Sequence, residues 1–191
     1  MSATFGGGRT LRHAQAFIYH NTSTSWAAIN DNKIQGYGVP GYQFYNNLFL
    51  TGRWWGNLQS MEPNWKSDYN VFVLRAESDK WKEGIELARR LGKEKNSLWH
   101  EGPVSLFVEN YEASDFRLTA DSPARKRGID LSKIHDGKLP GAGPGYFTGE
   151  APDVGALSYG EPMLQVPRKP EAIPDLIPAG FWPQASDALK R

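Results

Sequence analysis

Three short segments of this chain repeat one pattern: Tyr19-His20-Asn21-Thr22-Ser23-Thr24, Tyr45-Asn46-Asn47-Leu48-Phe49-Leu50 and Asp68-Tyr69-Asn70-Val71-Phe72-Val73. Their asparagines stand 26 and 23 residues apart, and periods in the low twenties are the length of one coil in a solenoid. β-Branched and aromatic residues follow each asparagine, and Gly, Pro, Asn and Asp lie between the segments, which reads as short strands with turns. An asparagine at the same corner of every coil can hydrogen-bond its own turn and the amide of the next coil. It also tolerates the left-handed backbone that a tight corner needs. The expectation is a stacked ladder of Asn21, Asn47 and Asn70 joining parallel strands, with chance recurrence of loop asparagines as the alternative.

One helix interrupts this pattern. Residues 79–91 follow Ser78 or Asp79 as N-cap, place Trp81, Ile85, Ala88 and Leu91 on one face, and stop at Gly92. Further strand-like pieces occur at 105–110, 115–119 and 153–160, separated by a Gly/Pro-rich loop. Prolines at 162, 167, 170, 174, 178 and 183 forbid regular helix or central strand beyond that. The division read from the chain is a flexible leader at 1–15, a body at 16–160 and an extended Pro-rich tail at 161–191.

The closing pattern is more specific. Asp115-Phe116-Arg117-Leu118, Ser122-Pro123-Ala124, Gly128 and Asp153-Val154-Gly155-Ala156 resemble the C-terminal coils and cap of right-handed parallel β-helix proteins of the pectate-lyase-like kind. His20-Asn21-Thr22 and Asn46-Asn47-Leu48-Phe49 are similar to internal coils of that family, and Leu106-Phe107-Val108 to its penultimate strand. The resemblance implies an all-β fold, a right-handed parallel β-helix segment of about four to six coils at ~23 residues each. It implies an extracellular or periplasmic protein that degrades or binds polysaccharide, with lyase action on an acidic polymer ahead of glycoside hydrolysis. The family's N-terminal cap helix is not recognisable before Phe17. The expectation is therefore a piece of a larger β-helix, with upstream coils missing or with self-association through the first coil.

Charge and composition narrow the partners. With 22 basic and 21 acidic residues the formal net charge is +1, so neither nucleic acid nor an anionic membrane is implied. The absence of cysteine excludes disulfides and thiolate metal sites, and no apolar stretch near Met1 reads as a signal peptide. Seven tryptophans supply flat faces for sugar rings. The candidate carbohydrate contact is the segment 52–68. There Arg53 could pair a uronate carboxylate, Trp54, Trp55 and Trp65 could stack on sugars, and Lys66 or Glu62 could move a proton. The alternative is a tryptophan-rich lid packed on the strands.

No catalytic residue is assigned. His13, His20, His100 and His135 lack ligand spacing, so no metal site is expected. Calcium is left open by the resemblance, but no Asp-x-Asp-x-Asp-Gly loop supports it. Ala124-Arg125-Lys126-Arg127-Gly128 reads as a solvated basic face. The second function class is a non-catalytic structural or carbohydrate-adhesion module.

Overall fold

The computed structural model describes residues 17–24, 43–50, 66–74, 86–134 and 139–162. Within them the chain is mostly strand in parallel sheets, with little helix. Each of the three repeats folds as a pair of short strands around its asparagine: β1 (Phe17–Tyr19) and β2 (Thr22–Ser23), β3 (Gln43–Tyr45) and β4 (Leu48–Phe49), β5 (Lys66–Asp68) and β6 (Val71–Leu74). A seventh strand, β7 (Leu98–Glu101), follows the helical segment. Equivalent strands pair in parallel, in the orders β1-β3-β5 and β2-β4-β6-β7. Register is strict: Tyr19 faces Tyr45, which faces Asp68, and Thr22 faces Leu48, which faces Val71 and then Leu98.

The bend between paired strands is made by the residue before the asparagine. His20, Asn46 and Tyr69 have φ of 49°, 57° and 56°. This corrects the expectation that the asparagines themselves occupy the left-handed region. A left-handed residue costs about 1–2 kcal/mol for an ordinary side chain, so three in a column require compensation. The amides behind them provide it. Asn47 Oδ1 accepts from the backbone N–H of Asn21 at 3.1 Å and from its Nδ2 at 3.0 Å. Asn70 Oδ1 accepts from Asn47 N at 2.9 Å and Nδ2 at 3.0 Å. Asn47 Nδ2 also donates to the Ile18 carbonyl, and Asn70 Nδ2 to that of Phe44. Asn47 and Asn70 are wholly buried, while Asn21 is exposed.

Alternation along the strands separates two faces. Leu48, Leu50, Val71 and Val73 share one core with Phe107, Val108, Leu118, Ala124 and Val154. The residues between them, Phe49 and Phe72, therefore point the other way. There they stack with Trp99, at 5.0 Å from Phe49 to Phe72 and 4.1 Å from Phe72 to Trp99, with rings within 15° of parallel. A second cluster of Leu131, Leu139 and Ala142 packs on Phe17, Tyr19 and Tyr45, covering one face of the β1-β3-β5 sheet.

The helical segment is described only at 86–90. Ala88 is buried, but Leu91, expected on the buried face, is 43% exposed. The reason is the stop itself: Gly92 at φ 71° accompanies bonds from Gly92 N to Arg89 O and from Lys93 N to Ala88 O. This Schellman turn swings the last helical side chain outward.

Two strand expectations fail near the C-terminal end of the body. β8 (Val108–Asn110) and β9 (Asp115–Leu118) form an antiparallel hairpin, not two further parallel rungs. Asn110 Oδ1 capping Ala113 N, with Ser114 at φ 59°, reverses the chain between them. Residues 153–156 are not a strand either. Gly155 at φ 116° breaks any ladder, and a Cβ there would lie 3.0 Å from Thr22 Oγ1. The segment instead passes across the first two bends, donating from Gly155 N to Asn46 O and from Ala156 N to Thr22 Oγ1.

The chain divides into units Met1–Glu161 and Pro162–Arg191. The second lies outside the described residues except for Pro162. No helix among the described residues is long and apolar enough to cross a membrane.

Candidate functional site

Three places combine polar chemistry with defined geometry: the far end of the asparagine column, the near end of the bend residues beside that column, and a cleft next to them. At the far end a fourth rung takes serine in the asparagine position. Ser97, 27 residues after Asn70, accepts from Asn70 N at 2.8 Å. The amide hydrogens of Asn70 then need an acceptor, and Glu94 supplies it: Asn70 Nδ2 lies 3.1 Å from Glu94 Oε2. Ser67 and Ser97 donate their hydroxyls to the same carboxyl group. Glu94 is 3% exposed. Burial raises its pKa to about 7, against the pull of the bonds from Ser67, Ser97 and Asn70, and nearby Asp68 adds to the rise. This carboxyl group is sealed by its donors and offers a ligand nothing.

At the near end, Asn46 Oδ1 accepts from Ile129 N and its Nδ2 donates to Ile129 O, both at 2.8 Å. That double bond to one backbone residue fixes which way the amide points. His20 Nε2, 3.1 Å from Asn46 Nδ2, must then be the acceptor. Its Nδ1–H donates to Gly155 O at 3.3 Å, so the hydrogen-bond network assigns the neutral Nδ1–H tautomer. Burial lowers the His20 pKa, with the Gly155 carbonyl and Asp153 opposing. Gly128 is needed here, since a Cβ would sit 2.9 Å from the Asn46 amide.

The open place is a cleft of about 400 Å³ beside this corner. Arg125 stacks its guanidinium on Tyr159, 3.9 Å from the ring centroid, and Tyr159 is 46% exposed. Asp153 frames the cleft by accepting from Lys126 N and Tyr159 N, both at 2.8 Å. Lys126 holds φ 52° and is exposed. Glu161 Oε2 accepts from Ser158 N, so both lining carboxylates are engaged by backbone. Among the described residues the ion pairs are Asp115–Arg117 and Asp130–Lys133, which leaves Arg125 and Lys126 unpaired by carboxylate there. A second cleft, about 380 Å³, is bordered by Glu109 and Glu112 and has no cation on its lining.

Of the carbohydrate candidates, Arg53, Trp54, Trp55 and Trp65 lie outside the described residues, as does Glu62. Lys66 opens β5 and is exposed. It lies close enough to Lys93 to help depress that lysine's pKa, burial being the larger cause. Asp68 is occupied by Tyr69 N, Asn96 N and Asn96 Nδ2. No group of three or more His, Cys, Asp or Glu among the described residues is placed to hold a metal ion. Sequence reasoning missed Glu94, buried in the middle of the charged Lys93-Glu94-Lys95 run, and treated Arg125 and Lys126 as a solvated face. The signal for the fourth rung was available, because Ser97-Leu98-Trp99-His100 repeats the alternation of Asn70-Val71-Phe72-Val73.

No family model, curated protein or solved structure matches this chain.

Proposed function

We propose that this chain is part of a right-handed parallel β-helix that binds an acidic polysaccharide outside the cytoplasm without cleaving it. The observation that carries the reading is the column of Asn21, Asn47 and Asn70, buried at its last two members, between in-register parallel strands. Parallel strands joined by crossovers are right-handed in the great majority of proteins. Rigid coils of this kind present side chains at regular intervals, which suits a polymeric ligand. Binding is put ahead of turnover because the carboxylates of Asp68, Glu94, Asp115, Asp130 and Asp153 each serve a hydrogen bond within the fold, and Glu109 and Glu112 border a cleft with no cation to receive an acidic sugar. The proton-moving roles considered for Glu62 and Lys66 leave only Lys66 among the described residues.

Electrophoresis of the full chain through gels containing polygalacturonate, alginate or a neutral glucan tests the reading. Retardation is expected in the two acidic gels, weakening as salt is raised because exposed cation–carboxylate contacts are screened. Equal mobility in every gel at low salt would remove the binding function. Release of unsaturated oligosaccharides from either acidic polymer would replace binding by lyase action.

A further inference from the structure

We propose that the cleft of Arg125, Lys126 and Tyr159 is the subsite for one uronate unit of that polymer. The inference rests on the acidic-polysaccharide reading and adds to it a place and a chemistry. Its starting point is the basic run 125–127, which the fold does not leave as a plain solvated face.

The guanidinium of Arg125 is held by the Tyr159 ring and by the Ala120 carbonyl, which Nη1 donates to. No carboxylate among the described residues pairs with it. Its Nε is buried and finds no hydrogen-bond partner. A cation kept in place by stacking, not by a counter-charge, retains its attraction for an incoming anion. Arg125 covers one side of Tyr159, and the ring's remaining exposure offers a flat apolar surface of the sort on which pyranose C–H groups pack. Lys126 stands at the same rim. Its left-handed φ of 52° is held by the bond from its N–H to Asp153. Strain of this kind in a non-glycine residue collects at ligand sites. Thr148 and Ser158 add hydroxyls for sugar oxygens.

The volume of about 400 Å³ falls at the small end of ligand clefts, the size for a single ring and not for a long chain segment. The two lining carboxylates balance the charge of Arg125 and Lys126 over the cleft as a whole, so the attraction is local to the side of the guanidinium that they do not face. Asp153 is turned to two backbone donors and Glu161 to one. The acidic cleft around Glu109 and Glu112 would repel the same ligand, so the two clefts make opposite choices.

The test is an NMR titration of the full chain with trigalacturonate and with neutral cellotriose, in wild type, Arg125→Ala, Arg125→Lys, Tyr159→Ala and Lys133→Ala. Trigalacturonate is expected to shift the amides of Thr148, Ser158 and Tyr159, and cellotriose to leave them unmoved. Arg125→Ala and Tyr159→Ala are expected to weaken binding by tenfold or more. Arg125→Lys should recover part of the loss, and Lys133→Ala, outside the cleft, should bind as wild type does. Tyr159 is exposed enough that its variant folds even if Arg125→Ala does not. Trigalacturonate binding that is unchanged in the Tyr159 variant, with shifts elsewhere, would overturn the cleft and leave the polysaccharide reading standing. Failure of both the oligosaccharide and the acidic gels would remove the two together. Displacement of trigalacturonate by equimolar inorganic phosphate would reduce the cleft to a bare anion site and overturn the sugar assignment.

Discussion

The asparagine column and the column of bend residues beside it close on ionisable groups of opposite chemical kind. At the far end the last amide, Asn70, gives its hydrogens to the carboxyl group of Glu94, whose raised pKa records the cost of burial. In the column of bend residues His20 accepts from Asn46 as a neutral imidazole, and burial lowers its pKa. In the middle each amide satisfies its neighbour, so nothing titrates. The ladder of amides is self-sufficient until it stops at Asn70, where it borrows the carboxyl group of Glu94, while His20 closes the neighbouring column of bend residues through Asn46. One closure therefore favours acid and the other favours base.

The largest expected effect is in the middle. Asn47→Ala strips acceptors and donors from Asn21, Ile18 and Asn70 at once. With buried partners costing about 1–3 kcal/mol each when left unmade, a loss of at least about 3 kcal/mol in urea unfolding is expected at every pH. A loss confined to one pH range would mean that the centre is not self-sufficient.

The next effect belongs to Glu94. Its folded pKa of about 7 lies above the ordinary 4.5, so the folded state holds the proton more tightly. The stability from this group is full below pH 4.5 and is lost as pH rises through 7, by about 3 kcal/mol at 1.36 kcal/mol per unit. Glu94→Gln is expected to remove that decline, leaving the variant more stable than wild type above pH 7. Stability curves with equal slope in both proteins between pH 4.5 and 7 would contradict it.

His20 should act with the reverse sign and less strongly. Its folded pKa lies below the ordinary 6.5, so its contribution is present above that value and is lost as pH falls through the folded pKa. His20→Gln should flatten the acid limb alone, at a cost of about 1 kcal/mol near neutrality for the exchanged hydrogen bonds. If the variant flattens the alkaline limb instead, the folded state holds His20 as the imidazolium and its pKa is raised, not lowered.

How far the sequence displayed this arrangement depends on the distance between cause and pattern. Asn21, Asn47 and Asn70 were readable because their role repeats with their spacing, and the parallel pairing follows from the same repeat. The left-handed position was misread by one residue. His20, Asn46 and Tyr69 share no side-chain type, since the backbone sets that conformation and the amides behind it repay the strain. Glu94 was hidden for a different reason. It follows a helix stop in a run of charges, and only the turn at Gly92 carries it into the column. Ser97 escaped a search for asparagine because a hydroxyl replaces the amide there, although the alternation after it matches the other rungs. The segment 153–156 keeps the composition of a strand, and the contact of Gly155 with Thr22 and Leu48 that forbids one comes from residues more than a hundred positions away. Arg125 looks solvated until Tyr159 is placed under it.

The most direct single test is the carboxyl carbon of Glu94, followed by NMR through a pH titration of the folded chain. A midpoint near 7, with the Asn70 side-chain amide signals moving in the same transition, is expected if Glu94 closes the column. A midpoint near the ordinary 4.5, with the Asn70 amide unmoved, would place Glu94 in solvent and leave the last amide only its bonds to Phe44 O and Ser67 Oγ.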